Sequence, residues 1–317
     1  MSGARDESEP APTDAVLRRL ATTLDHLPAL AGEPREVLAL EGGLTNFNFK
    51  VTTPERTAVV RLSSSDGDLL AIDREAEHVN SLRAAESGAA PAVVDYLPDH
   101  HALVVEWVEG RTLVADDLHD PAMLTRVADV CRVLHAGPRF QGDFDMFAVQ
   151  RRYLAIVRDR GFRLPDRYLE FTPKVEHIRS ALAVRDEGTV PCNNDLLAAN
   201  IIDDGQRLWL IDYEYAGNND PCFELGNLAS ESHLSTDQLV ELVTYYYGRE
   251  LRHKIARARL LGLMSNYGWT LWASIQDATS SLDFDFWSWG MDKYDRAVQA
   301  FDGSGFDDLL SEAQRPD

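Results

Sequence analysis

The chain is poor in cysteine, in basic residues and in long apolar runs, and each shortage closes off a class of protein. Its three cysteines, Cys131, Cys192 and Cys222, are too few and too widely spaced for a disulfide framework or a zinc site. They point to reduced thiols in a cytoplasmic protein. Lys and Arg number 31 against 52 Asp and Glu, a formal charge of −21. A nucleic-acid backbone or an anionic membrane surface requires a basic face, so neither is expected as a partner. The acidic excess keeps the surface solvated, and carboxylates also suit a cation or a cationic small molecule. No apolar run approaches the roughly 20 residues that span a bilayer. Residues 1–14 are polar, acidic and proline-containing, which reads as a disordered tail and not as a secretory signal. What the chain does have is material for a core, with 44% hydrophobic residues in a length of 317. At about 150 residues per domain, that length suggests two domains or lobes.

A helical pattern over Ala15–Leu27 gives way to alternation. Strands are predicted over 36–40, 46–51 and 57–62, with Thr53-Pro54-Glu55-Arg56 as the turn between the last two. A helix over Asp73–Glu86 closing on Gly88, then strands over 93–96 and 102–108, complete a small, mostly antiparallel lobe spanning residues 15–108. After Glu109-Gly110 the pattern turns helical. Asp120-Pro121 supplies a cap and first turn, and apolar residues recur at helical spacing to Leu134, then again over 145–160 and 167–184. Two short strands, over 200–202 and 208–211, are joined by an Asp204-Gly205 turn, and the chain is helical again from Cys222 to about Ala300. The plan is α+β: a β-rich lobe, a hinge near 106–111, and a helical lobe over 109–317 whose last ten or so residues are expected to be flexible.

The most specific segment is Cys192-Asn193-Asn194-Asp195-Leu196-Leu197-Ala198-Ala199-Asn200, followed twelve residues later by Asp212 at the end of the second short strand. An Asp, an Asn five residues on, and an Asp closing a hairpin is the spacing of a phosphoryl-transfer site. Asp195 can accept the proton of an attacking hydroxyl, while Asn200 and Asp212 are hard oxygen ligands for Mg²⁺. In the first lobe, Gly42 and Gly43 sit in a turn between strands, beside Thr45 and Asn46, where backbone amides can approach phosphates. Arg61, on the third strand, can pair with phosphate and be held by Glu75 or Glu77 of the next helix. Those two glutamates cannot both face it. On these residues alone the pair is equally an ordinary surface ion pair.

These segments resemble the choline/ethanolamine kinase family, within the aminoglycoside-phosphotransferase group of protein-kinase-like folds. Gly42-Gly43-Leu44-Thr45-Asn46-Phe47-Asn48-Phe49-Lys50-Val51 is similar to its nucleotide hairpin. Val59-Val60-Arg61-Leu62 carries Arg where most kinases have Lys, and Ile72-Asp73-Arg74-Glu75 is similar to the start of the superfamily's helix, which selects Glu75 over Glu77. Asn194-Asp195-Leu196-Leu197-Ala198-Ala199-Asn200 resembles the catalytic loop, and Ile211-Asp212-Tyr213-Glu214-Tyr215-Ala216-Gly217 the metal segment. The resemblance implies a bilobal fold with MgATP between the lobes and adenine near Glu106-Trp107-Val108. One departure is Asn193, where the family usually has His. That His mainly scaffolds the loop, and Asn can still hydrogen-bond to backbone, so an active enzyme is expected over a non-catalytic nucleotide- or cation-binding relative.

A quaternary ammonium is held by aromatic faces and a carboxylate. Five of the six tryptophans lie beyond residue 208, four of them between 269 and 289. By resemblance, Trp269, Trp272 and Trp289 match the aromatic cage, Glu231 the acidic residue facing the ammonium, and Tyr215 a further pocket aromatic. Aromatics at helical spacing are also ordinary core residues, and the orientation of Trp287 is left open. Glu214 either steadies the metal site or structures its loop. His119, His135 and His177 read as surface or capping residues. The expected acceptor is choline, with ethanolamine alongside it. Thiamine, an aminoglycoside or a sugar are the alternatives on the same fold, and the chain is expected to be a monomer or homodimer.

Overall fold

A computed structural model of the chain describes residues 13–40, 43–63, 69–185 and 188–316. Gly42 lies outside the described residues, as does most of the tail expected over 1–14. Thr13 caps helix α1 (Asp14–Asp25), its hydroxyl accepting from the Val16 amide. The helix lies against an antiparallel sheet of β1 (Glu36–Leu40), β2 (Asn46–Thr52), β3 (Thr57–Ser63), β4 (Val93–Leu97) and β5 (Ala102–Glu106), in the order β1-β2-β3-β5-β4.

Period-two alternation sorts the side chains of this sheet. Phe49 and Val51, then Ala58, Val60 and Leu62, then Ala102 and Val104, pack with Leu20, Leu24, Leu27 and Leu30 into a small core. The residues between them, including Asn48, Val59, Arg61, Leu103 and Val105, line a cleft on the other face. A slip of one residue would bury Arg61 among leucines and turn Val60 to the cleft. The pairings of Phe49 with Val60, and of Val60 with Val104, hold the register. Helix α2 (Arg74–Ser87) starts at Asp73, whose carboxylate accepts from two backbone amides, and ends on Gly88 at φ 87°, a left-handed position suited to glycine.

The second lobe is built from α3 (Pro121–His135), α4 (Met146–Arg160), α5 (Thr172–Ala183), α6 (Pro221–Glu231), α7 (Thr236–Tyr247), α8 (Arg252–Thr279), α9 (Phe286–Asp302) and α10 (Phe306–Gln314). The middle of α8 is buried on every side, and α4, α6, α9 and α10 pack around it. A Cβ on Gly226 would fall 2.1 Å from the Ala258 carbonyl oxygen, so only glycine lets α6 approach α8 this closely. That approach carries Glu231, at the end of α6, to the indole-bearing stretch of α8. Overlapping the end expected to be flexible, residues 306–314 form α10, which buries Phe306 and Ala313 in the main core. Among the described residues no helix is long and apolar enough to cross a membrane.

Five short strands in two small sheets frame the loops between lobes. The expected pair is present as β8 (Ile201–Asp203) and β9 (Leu208–Leu210), joined at Asp204-Gly205, and β6 (Arg111–Thr112) adds a third strand. β7 (Val190–Cys192) pairs with β10 (Gly217–Asn219), and neither strand was expected. Three-residue strands containing Pro, Gly and Asn carry no alternation to detect. Their pairing clamps the two ends of the segment that holds Asp195, Asn200 and Asp212.

Candidate active site

The cleft between the lobes has a volume of about 640 Å³, and Asp195, Asn200 and Asp212 all line it. The loop after β7 turns sharply at Asn194, whose φ of 67° is a left-handed value that Asn tolerates. Its side-chain amide donates to the carbonyls of Cys192, Tyr215 and Gly217, and its oxygen accepts from Asn219 at 2.9 Å. Asn193 takes the scaffolding role expected of it. It donates to the carbonyls of Ile211 and Asp212 at 3.1 and 2.8 Å, and accepts from the Asp195 amide at 3.1 Å. One side chain thus ties the loop of Asp195 to the segment of Asp212. The backbone amides of Asn193 and Asn194 both end on the fully buried carboxylate of Glu224, at 2.9 and 2.7 Å. His135, expected as a surface or capping residue, ends α3 buried beside this carboxylate and Cys192, with Nδ1 2.7 Å from the Tyr246 hydroxyl.

Burial pushes the Asp195 carboxyl well above the usual range, and the carboxylates of Asp212, Glu231 and Glu214 push it further while Lys293 opposes them. A carboxylate with raised proton affinity suits proton acceptance from an alcohol. Asn200 donates its amide to the Asp195 carbonyl at 2.8 Å, which leaves its side-chain oxygen as the remaining ligand atom. Asp212, at φ 66°, accepts from Arg61 on Oδ1. Among the described residues no donor meets its Oδ2. These are two hard oxygens of the kind Mg²⁺ takes, so the donor set fits that ion.

Among the residues expected to meet the nucleotide, Arg61 is buried against three carboxylates: Asp212 at 2.5 Å, Glu77 at 2.9 Å and Glu214 at 3.3 Å. Burial alone would lower its pKa, but the carboxylates outweigh that and raise it. The helix partner is therefore Glu77, which corrects the expectation of Glu75. At 3.6 residues per turn, two positions turn Glu75 about 200° around α2, and it is exposed. Arg74, missed in the sequence, bridges Glu77 at 2.7 Å and Glu214 at 3.2 Å. Glu214 proves to be the central staple. It accepts from Thr45 at 3.0 Å and Asn46 at 2.9 Å, so the hairpin turn of the first lobe is tied to the metal segment of the second. Burial, with Asp212 added, raises the Glu214 pKa against the pull of Arg61. A Cβ on Gly43 would meet the Asn46 carbonyl oxygen at 2.4 Å, so this turn requires glycine. Glu106 and Val108 line the cleft on either side of Trp107, whose ring carries the Lys50 ammonium at 3.9 Å.

The residues expected at the acceptor, Tyr215, Glu231, Trp269, Trp272 and Trp289, all line the same cleft. Trp272 donates to the Tyr215 hydroxyl at 2.9 Å, and its ring stands edge-on to Trp289, with centroids 5.5 Å apart. Trp269 is edge-on to Tyr215 at 5.0 Å and donates to Asn227, which in turn donates to the Leu196 carbonyl of the catalytic loop. Trp269 and Trp272 are only 4% and 6% exposed and belong to the main core. Core packing and cleft lining are thus served by the same side chains. Trp287 is absent from the cleft wall and lies under the Arg163 guanidinium at 3.8 Å. Sequence reasoning also missed Lys293, whose ammonium meets Glu231. Its place one helical turn after Trp289 was the available signal.

A profile of the choline/ethanolamine kinase family matches residues 37–240. Ethanolamine kinase 2 of Mus musculus is 29% identical over 259 residues, covering 72% of this chain, and the chain spans 66% of the mouse protein's length. A choline/ethanolamine kinase family protein from Mesorhizobium loti superposes with a TM-score of 0.82 at 29% identity, over 95% of this chain and 99% of that one. Aminoglycoside 2'-phosphotransferase-IIIa superposes at 0.65 with 16% identity, over 89% and 97% of the two chains, a likeness of fold. The architecture is thus the bilobal protein-kinase-like fold, and the chain belongs to the choline/ethanolamine kinase family.

Proposed function

We propose that the chain transfers the γ-phosphoryl group of ATP to the hydroxyl of a cationic amino alcohol of the choline or ethanolamine type. The observation that carries this reading is one cleft lined both by Asp195, Asn200 and Asp212 and by an indole wall with an acidic residue, Glu231. Arg61 and the turn at Gly43, Thr45 and Asn46 receive the phosphates, and adenine lies against Glu106 to Val108. Asn200 and Asp212 would hold a Mg²⁺ ion, which would supply positive charge against the phosphates. Asp195 takes the proton of the acceptor hydroxyl as its oxygen bonds to phosphorus and the bond to the ADP oxygen breaks. The acceptor's ammonium faces Glu231, Trp269, Trp272 and Tyr215. The reading places the enzyme in the cytoplasm, as a monomer or homodimer, and its three buried, unpaired cysteines agree with a reducing compartment.

An ADP-release assay with MgATP and choline, ethanolamine, thiamine or kanamycin tests it. Saturable turnover with an amino alcohol is expected. Turnover only with thiamine or kanamycin would sink the acceptor assignment, and silence with all four while nucleotide still binds would sink the enzyme.

A further inference from the structure

The proposed function assigns no role to the ammonium that already sits behind the acceptor wall. Lys293 of α9 is 1% exposed, and its Nζ donates to both oxygens of Glu231, at 2.5 and 2.6 Å. The same Nζ lies 4.1 Å from the centre of the Trp289 ring. Glu231 and Trp289 line the cleft, whereas Lys293 is withdrawn from it.

A carboxylate and an indole face are the groups by which a protein holds an ammonium ion. Here both are engaged by a cation that belongs to the protein. The consequence for an arriving acceptor depends on what its nitrogen can donate. A quaternary ammonium has no N–H and is attracted only by charge and by aromatic faces. Lys293 has neutralised the charge of Glu231 and taken up a face of Trp289. A primary ammonium keeps three N–H donors, and a carboxylate offers about four lone-pair sites, of which Lys293 uses two. It can therefore share Glu231 by hydrogen bonding where a quaternary ammonium cannot.

We propose that Lys293 sets the acceptor specificity of this cleft, as a built-in counter-cation of Glu231 that favours a primary amino alcohol such as ethanolamine over a quaternary one such as choline. The inference rests on the amino-alcohol reading and names the amine within it. Lys293 is a positioning residue, acting through Glu231 and Trp289.

Two measurements on the full chain test it. In the first, which needs no turnover, tryptophan fluorescence reports binding of methylammonium and of tetramethylammonium. The unsubstituted chain is expected to bind methylammonium about tenfold more tightly, the worth of one charge-assisted hydrogen bond. Lys293→Met is expected to remove or reverse that preference. Equal or tighter binding of tetramethylammonium by the unsubstituted chain, or binding of neither, overturns the proposal. In the second, the ratio of kcat/KM for ethanolamine to that for choline is expected to fall about tenfold in Lys293→Met, through KM and not kcat. An unchanged ratio in the folded variant overturns it. Lys293→Met strands a buried carboxylate, so the double variant Lys293→Met with Glu231→Gln, which removes both charges, provides the second route. It is expected to lose the methylammonium preference, and keeping it overturns the proposal. Absence of turnover with both alcohols would count against the amino-alcohol reading, while the binding measurement still decides the role of Lys293.

Discussion

The two walls of the cleft are built on opposite principles. The nucleotide wall is a charge cluster that crosses between lobes, with Arg61 and Arg74 facing Asp212, Glu77 and Glu214, and Thr45 and Asn46 leaning on Glu214. The acceptor wall lies within one lobe, where Trp269 and Trp272 are buried in the main core. Charge clusters at a seam are held by polar contacts that a charged ligand can exchange for its own. Indoles packed in a core keep their shape whether or not a ligand is present. On the proposed reading, a nucleotide would exchange existing pairs for its own, whereas an acceptor would meet indoles already fixed by core packing.

The largest effect is expected where the walls meet. Asp195→Asn should lower kcat by about 10³-fold, within the range for loss of a general base. Its thermal stability at neutral pH should hold or rise, because burying this carboxylate is unfavourable. Single-turnover kinetics with a melting curve checks both halves. A variant that keeps its rate would remove Asp195 from the chemistry.

Next comes the seam. Glu77→Gln takes one carboxylate from Arg61 and Arg74 and leaves buried guanidinium charge behind, a loss of about 3 kcal/mol when a buried pair is broken. KM for ATP should rise with it and KM for the acceptor should hold. Glu75→Gln, on the exposed face of α2, should stay within about 0.5 kcal/mol. Urea melts of the two variants side by side are decisive, since equal losses would return the pairing to Glu75. A smaller change is expected on the acceptor wall. Trp272→Phe loses the bond to Tyr215 and should cost about 1 kcal/mol, raising KM for the acceptor and leaving KM for ATP alone. Titration of the two substrates separately would show whether the walls are as independent as their construction implies.

The difference between the walls also explains what could be read from the sequence. Arg61 was legible because β3 alternates, and alternation alone turns it to the cleft. The helix facing it was not legible in the same way. The inner face of α2 is Glu77, Asn80, Ser81 and Ala84, nearly all polar, so no apolar stripe marks which side is buried. Its phase is set by tertiary contacts, such as Asn80 donating to the Ala216 carbonyl and accepting from the Gln141 amide. Glu214 was visible as a charged residue in the metal segment, but its partners Thr45 and Asn46 lie far off in sequence, and only the fold joins them. The indoles were legible by their spacing and concentration. Lys293 was hidden because a lysine on a helix is usually solvated, and its burial follows from α6 and α9 both packing on α8.

The subtlest expectation couples the walls through charge. As the proposed base, Asp195 would have to be ionised to accept a proton, and its raised pKa would place the acid limb of kcat above the ordinary Asp value of about 4. Activity therefore rises with pH through that limb. The folded chain also holds this proton more tightly than the unfolded one, so the group's contribution to stability falls as pH rises between the ordinary and the raised pKa. Glu231 is one of the carboxylates raising Asp195, and Lys293 is the cation lowering it. Glu231→Gln should move the limb to lower pH, since it withdraws a negative charge and leaves Lys293 uncompensated. Lys293→Met should move it to higher pH. The two shifts have opposite signs although the two side chains form one ion pair, so a merely structural disturbance of that pair cannot produce both. Profiles of kcat against pH that move in the same direction would mean that the acceptor wall acts on Asp195 by shape and not by charge.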